Sequence, residues 1–497
     1  MSKQPSTYSR HALSLRNIRG GPLQRLPAEL VMTIFEMTRP ASWPSGLILS
    51  AVCRRWKNII DRNRPRYWAY LRVYVGPTNP TSLVDLAAQL AISGMNSIRI
   101  EVVTRNVDQL RISPRSIRVE QARVCAIVSV LKPHFHRCIS LSFNLLHRSS
   151  LPSVLDDIGV CPHLKRLILK CRDGTPNDHD LILRLSNPHP QTVFGFGQLK
   201  YLAIDGPNFV RVSMYAPGWL RNQPFNDESF VSISHFWQSE WRFPFFLYHA
   251  LLELQYTVSI SLDNVVLPFR HGLMAEDGFG RSNLDPTLNL CNYALSFANI
   301  DNADFIREVF FVDSRPLGQL KIANCPFDAF DENALDNVQT LWLDGCNSRS
   351  ELFSFFREWE GNNLVLKNCE GFNDRLIKKL CNIIIAEQNE DSCPLFWVTH
   401  LELIACRNFS LGCLKELLVA LRIAGQERLV LRVAGLPFPS NDDIAWFRRH
   451  TVELYWSVGI EPTPGETLRL RGPEASRIVT DSESGSESEP DDYLTDS

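Results

Sequence analysis

Apolar residues recur along this chain with two different periods, and the period changes where the predicted elements change. Over residues 27–37, Leu30, Ile34 and Met37 return at helical spacing with Val31 and Phe35 beside them, so one broad face is apolar. Pro27 stands where that helix begins, because its preset φ and missing amide hydrogen cost nothing in a first turn. The stretch TRPASWPSG at 38–46 carries Pro and Gly and cannot continue the helix. A second helix is predicted from Leu47 to Asp61, with Leu49, Val52, Trp56 and Ile59 or Ile60 on one side and Arg54, Arg55 and Lys57 on the other. Two helices this short bury too little surface to stand alone, so their apolar face needs something to dock on.

Beyond residue 70 the pattern shifts to short apolar strands: LRVYV at 71, SIRIEV at 97, CISLSF at 138, LKRLILKC at 164 and LKYLAI at 199. Helical stretches lie between several of them, SLVDLAAQLA at 82 and EQARVCAIVSVL at 120. Strand and helix in alternation predict parallel strands joined by crossover helices. From residue 317 the alternation becomes a repeat. LGQLKIANC, VQTLWLDGC and VTHLELIAC share an apolar-x-x-Leu-x-apolar-x-x-Cys frame that ends at Cys325, Cys346 and Cys406. NNLVLKNC keeps the second half of the frame and ends at Cys369, while LVLRVAG at 429 and TVELYWS at 451 are weaker versions. Cys325, Cys346 and Cys369 follow one another at intervals of 21 and 23 residues, within the range of strand-plus-helix repeats that stack because no single unit buries its own apolar face. The closing Cys is small enough for a tight inside bend, which makes these four thiols packing residues.

Side chains alternate along a strand, so the residue between two inward apolar anchors faces the other way. That rule names Lys321, Trp342, Val365, Glu402, Val430 and Tyr455, flanked by Gln319, Thr340, Asp344, His400 and Arg432. A Trp among mixed polar residues is the composition of a protein-binding hot spot; coverage of Trp342 by the chain's own insert or tail fits the same pattern. Two stretches leave the cadence. Residues 206–250 hold Trp219, Trp237, Trp241, Phe243, Phe245 and Phe246 with poor periodicity, an expected aromatic insert packed on the repeats, and residues 268–289, rich in Gly, Asp and Asn, read as a loop.

Composition narrows the classes. The chain is 44% hydrophobic and 21% charged, the balance of a soluble globular protein, and its net charge of −2 gives no global field for nucleic acid or an anionic membrane. Thirteen scattered cysteines with no secretory signal ahead of them favour free thiols in a reducing compartment, cytoplasmic or nuclear. The longest apolar run, FPFFLYHALLEL, is short and broken by Pro244, His249 and Glu253, so no membrane span is expected. Residues 1–22 carry Lys3, Arg10, Arg16 and Arg19 without an acid, a composition that disordered basic N-termini share with transit peptides.

Residues 461–497 end in DSESGSESEPDDYLTDS, acids and serines without a base from Asp481 on, and are expected to be disordered. Thr480, Ser484, Ser486 and Ser488 each precede an acid by three residues, the spacing favoured by acid-directed kinases; a solubilising tail has the same composition.

Catalytic motifs are missing: no Walker or Rossmann glycine set, no HExxH and no GxSxG. His134, His136, Cys138, Cys161 and His163 fit no zinc frame, and the adjacent pairs Asp156-Asp157 and Asp442-Asp443 read as helix-start charges. No catalytic residue, metal or cofactor is therefore expected.

The ordered strings LPAELVMTIF, VCRRWKNII and the later YW within residues 23–71 resemble the F-box. The linker between its helices is longer than the family's usual one and carries Trp43. EGFNDRLIKKLCNII after Cys369 and RNFSLGCLKELLVALRIA after Cys406 resemble the helical halves of cysteine-containing leucine-rich repeats. The resemblance implies adaptor contacts at Leu26, Pro27, Leu30, Ile34, Phe35, Val52, Cys53 and Trp56, which would tie the chain to a Skp-type adaptor and through it to a cullin scaffold. The expected architecture is α/β: a disordered basic N-terminus at 1–22, a small helical F-box at 23–71, an irregular leucine-rich repeat solenoid at 72–460, and a disordered acidic tail at 461–497. The solenoid would be a horseshoe of parallel strands with outer helices, similar to fungal F-box substrate receptors. The expected function is a non-catalytic subunit of a Skp-cullin-F-box ubiquitin ligase that holds an unidentified target protein on the repeat face, with no nucleic-acid or membrane partner. A leucine-rich regulator of a small GTPase and an adaptor-bound scaffold without ligase output are the alternatives.

Overall fold

The computed structural model describes residues 26–37, 45–63, 69–76, 79–105, 113–173, 195–216, 219–220, 223, 225, 229–237, 258–266, 294–300, 306, 317–325, 335, 338–387, 393–426, 428–460 and 467–471. The chain divides into two units, Met1–Leu141 and Ser142–Ser497.

The first unit opens with three short helices, α1 (Ala28–Met37), α2 (Ser45–Val52) and α3 (Arg54–Arg62). The single helix expected over 47–61 is thus two, because Cys53 adopts an extended backbone (φ −158°) and caps α3, its Sγ accepting from the Trp56 amide. Val31, Phe35, Ile59 and Ile60 form a buried core, with Leu26, Met32, Leu49 and Trp56 packed against it. Phe35 and Trp56 meet edge-to-face at 4.6 Å, the arrangement their ring quadrupoles favour.

Strand β1 (Tyr70–Val75), helix α4 (Leu83–Ile92), strand β2 (Ile98–Thr104) and helix α5 (Pro114–Leu131) follow. β1 and β2 pair in parallel with Leu71 opposite Ile100 and Val73 opposite Val102. Ser82 caps α4, and Ser113 and Ser116 form a reciprocal capping box ahead of Pro114 in α5. Buried Arg137 donates to Leu90 O at 3.1 Å and Asn96 O at 2.9 Å, satisfying carbonyls at the C-terminal end of α4.

Strand β3 (Cys138–His147) leads into the second unit, whose further elements are β4 (Val160–Cys161), β5 (Arg166–Asp173), β6 (Gly195–Phe196), β7 (Tyr201–Asp205), α6 (Gly206–Tyr215), β8 (Ser229–Trp237), β9 (Val258–Val266), β10 (Ala294–Ala298), β11 (Leu317–Ala323), β12 (Val338–Asp344), α7 (Arg349–Glu358), β13 (Asn363–Lys367), α8 (Asp374–Ala386), β14 (His400–Ile404), α9 (Leu411–Ile423), β15 (Val430–Ala434), α10 (Asn441–His450), β16 (Glu453–Ser457) and β17 (Thr467–Arg471). The fold is mixed α/β with a long, mostly parallel sheet. From β7 to β16 each strand pairs in parallel with the next in sequence, and β16–β17 is antiparallel. Neighbour-only pairing of this kind is the topology of a one-dimensional stack.

Two columns of apolar side chains run through the stack. One reads Leu202, Val231, Ile260, Leu295, Leu320, Leu341, Leu364, Leu401, Leu431 and Leu454, each buried. The other runs from Ile204 through Leu343 and Leu366 to Trp456, equally buried. The helices add their own inner faces, such as Leu376, Ile377 and Leu380 of α8 and Leu414, Leu417 and Leu421 of α9.

One open point is filled in and two expectations change. The register before residue 317, which the sequence motif does not define, is the same one, since β8, β9 and β10 carry it with Val, Ile, Leu and Phe as anchors. The aromatic insert expected at 206–250 is, over its described residues, part of the stack: α6 is a crossover helix and β8 pairs on both sides. Trp219 is buried against Phe196 and Phe209 at 6.4 and 6.2 Å. The segment assigned to the tail from 461 includes β17, whose alternating TLRLR sets Leu470 opposite Leu454 and Leu468 opposite Trp456. The expected loop at 268–289, the basic residues 1–22, Trp43, the aromatics Trp241, Phe243, Phe245 and Phe246, and the candidate phosphorylation residues Thr480, Ser484, Ser486 and Ser488 lie outside the described residues.

Candidate functional site

The sheet of the second unit turns a row of side chains away from the apolar columns. Strand register aligns Ser232, Ser261, Ser296, Lys321, Trp342, Val365, Glu402, Arg432, Tyr455 and Arg469 on neighbouring strands. Five of the six residues expected on this face, Lys321, Trp342, Val365, Glu402 and Tyr455, fall on that row. Val430 lies on the same face but one row over, pairing with His400 and Glu453, and Arg432 stands on the row itself. The offset has a plain cause, since LVLRVAG offers two apolar-x-apolar windows, Leu429-Val430-Leu431 and Leu431-Arg432-Val433, and no closing Cys to choose between them. Val365 is buried, so it contributes packing to the face and little contact area.

The row carries cations beside aromatic rings at both ends of its C-terminal half, with Val365 and Glu402 between them. Lys321 Nζ lies 4.8 Å from the Trp342 ring centroid. Arg432 and Arg469 lie over Tyr455 at 4.9 and 5.1 Å from its ring centroid, while the Tyr455 hydroxyl donates to Glu453. Lys367 Nζ pairs with Asp344 at 2.9 Å. The pairs Arg432–Glu402 and Arg469–Glu453, at 4.0 and 3.9 Å, are longer, and the two guanidinium side chains are 51% and 59% exposed. Trp342 Nε1 is shielded from solvent and has no hydrogen-bond partner among the described residues. His400, on the adjacent row, is held below its ordinary pKa by burial first and by the Arg432 charge second.

A second column lies within β8 and β9, two residues before their ends, and immediately after each of β10 to β15. His235, Asn264, Asn299, Asn324, Gly345, Asn368, Ala405 and Gly435 all adopt positive φ, one per repeat. From Asn299 onward their amides continue the ladder, as in Asn324 N to Asp344 O at 3.0 Å and Ala405 N to Ala434 O at 2.8 Å. Asn side chains reinforce it, Asn324 donating to Asn299 at 3.1 Å and Asn299 to Asp263 at 2.9 Å. After the first seven of these the next residue turns inward: Phe236, Val265, Ile300, Cys325, Cys346, Cys369 and Cys406 are all buried, whereas Leu436 after Gly435 is half-buried. The repeat cysteines thus occupy the inner bend. Burial raises the Cys325 thiol to about 11, and a hydrogen bond to Cys369 followed by burial raises that of Cys406. Thiols held protonated in this way are poor nucleophiles and poor metal ligands.

Of the residues the F-box resemblance names, Phe35 is 1% exposed and belongs to the three-helix core, a correction to its place among adaptor contacts. Leu26 and Trp56 pack on that core, and the Arg55 guanidinium donates to Leu26 O. Pro27 and Cys53 are exposed, Ile34 is half-buried, and Leu30 and Val52 are 50% and 57% exposed. Among the described residues no cluster of three or more His, Cys, Asp or Glu is arranged to hold a metal ion, and no helix is long and apolar enough to cross a membrane. Neither a protein-family model nor a curated protein matches the chain.

Proposed function

We propose that this chain is the substrate-recognition subunit of a Skp-cullin-F-box ubiquitin ligase. In this reading the N-terminal helices dock the adaptor and the polar, aromatic row of the second unit holds a target protein. The observation that carries it is the N-terminal helical cluster. Its sequence resembles the F-box, its own core is closed by Val31, Phe35, Ile59 and Ile60, and it still leaves Leu30 and Val52 half or more exposed. Apolar side chains that a folded cluster does not need for its own interior are the material of an interface. The chain would perform no bond chemistry. Holding a target near a charged ubiquitin carrier raises the effective concentration of its lysines.

The test is co-purification of the full chain with a Skp-type adaptor. Leu30→Asp combined with Val52→Asp is expected to cut adaptor capture by more than about tenfold, since each places a charge in an apolar contact, with the circular dichroism spectrum unchanged. Equal capture by the folded double variant sinks the reading. Adaptor capture without ubiquitylation of any bound protein in a reconstituted ligase would instead favour the scaffold role.

A further inference from the structure

The face of strands β11–β17 bears Lys321, Lys367, Arg432 and Arg469 against Asp344, Glu402 and Glu453. Only Lys367–Asp344 is a close pair at 2.9 Å; the two arginine pairs stand at 4.0 and 3.9 Å with their guanidiniums mostly in solvent. Such exposed pairs hold weakly and yield readily to a ligand with several negative charges. Trp342 Nε1 adds a shielded donor with no acceptor among the described residues. The face therefore offers donors and cations that its own residues leave incompletely satisfied.

A matching segment lies in the same chain. Residues 481–497 contain seven acids, Asp481, Glu483, Glu487, Glu489, Asp491, Asp492 and Asp496, and no Lys, Arg or His. They follow β17, which places Arg469 beside Tyr455 at the end of the row. Residues 472–480 can span up to about 30 Å when extended. The six strand spacings from β17 back to β11, at about 4.8 Å each, cover about 29 Å. Each cation on the row is thus within reach of the acidic segment.

We infer that residues 481–497 dock on the face formed by Lys321, Trp342, Arg432, Tyr455 and Arg469, and that phosphate added at Ser484, Ser486 or Ser488 tightens the docking. Acid-directed phosphorylation supplies further oxygens and charge to the arginines. Docking and phosphate dependence stand whether or not the N-terminal helices bind an adaptor. The consequence that the tail competes with a target for the same row rests on the reading proposed above.

Carbodiimide coupling tests the inference directly, because it joins carboxylates to amines only at contact distance and the acidic segment has no amine of its own. The dilute full-length chain is expected to give intramolecular links from residues 481–497 to Lys321 or Lys367, identified by mass spectrometry. Arg432→Glu with Arg469→Glu is expected to cut their yield at least fivefold, as is high salt, and treatment with an acid-directed kinase is expected to raise it. Links from the segment spread over surface lysines without preference, or found only in covalent dimers, overturn the inference. So does an unchanged yield in the doubly reversed variant. Loss of adaptor capture bears on none of these outcomes.

Discussion

Across β8, β9 and β10 the outward row reads Ser232, Ser261 and Ser296, whereas across β11, β12, β14, β15 and β16 it reads Lys321, Trp342, Glu402, Arg432 and Tyr455. The inward columns make no such distinction: Val231, Ile260 and Leu295 are as buried as Leu320, Leu341 and Leu364. A left-handed residue recurs in both regions too, within β8 and β9 and just after the later strands. The two stretches share everything that stacking requires and differ in what they present. Stacking energy resides in the columns, where every repeat must supply an apolar anchor. The outward row is therefore open to specialisation, and its large, charged and aromatic side chains gather in the C-terminal half.

The strongest way to break this comparison is to cut the columns in both halves. Ile233→Ala and Leu366→Ala each remove a fully buried anchor, and each is expected to destabilise the second unit by about 2–5 kcal/mol from lost transfer energy and the residual cavity. Urea unfolding of the full chain measures both. If Ile233→Ala cost less than about 1 kcal/mol while Leu366→Ala kept its full effect, the early strands would not be stacked as the late ones are.

The left-handed column supplies a smaller test with opposite signs at two positions. Gly345 has φ +75°, and a Cβ there would lie 2.2 Å from Asn324 Oδ1. Gly345→Ala is expected to cost about 1–2 kcal/mol for the conformation alone, since an L side chain crowds the following carbonyl, plus displacement of the Asn324 amide. Ala405 already bears that strain at φ +52°. Ala405→Gly is expected to raise the unfolding midpoint, by a gain of at most about 1 kcal/mol once the added freedom of the unfolded chain is subtracted. A loss on Ala405→Gly would mean that the column is not a shared backbone requirement.

The same column explains what the sequence made legible. Where a Cys closes the bend after Asn or Gly, the frame can be counted, and it was countable from residue 317. Where Phe236, Val265 and Ile300 close it, the apolar residue merges with the strand pattern and the period disappears, although its role is the same. Register failed at Val430 for the same reason. β17 was missed because TLRLR has the alternation of a strand but follows EPTPGE and precedes a serine-rich acidic stretch. In the N-terminal helices the apolar period was plain, but period alone does not say which side faces inward. Phe35 and Leu30 lie in the same pattern, and packing against Ile59 and Ile60 buries only the first.

The smallest expected effect concerns the charged row itself. His400 has its pKa lowered from 6.5 by burial first, then by Arg432, with Glu453 acting in the opposite sense. A His whose folded pKa is depressed binds its proton more readily in the unfolded chain. Its contribution is therefore intact above the unfolded value near 6.5 and is lost as pH falls through it toward the folded pKa. Arg432→Gln removes the second cause, so the His400 imidazole, followed by NMR, is expected to titrate closer to its ordinary value. The same variant gives up an exposed pair at 4.0 Å and an exposed cation–π contact with Tyr455, and is expected to change stability at neutral pH by about 1 kcal/mol or less. A His400 titration that does not move would place Arg432 away from the imidazole, and a stability loss of several kcal/mol would mean that the row belongs to the core after all and cannot vary independently of the columns beneath it.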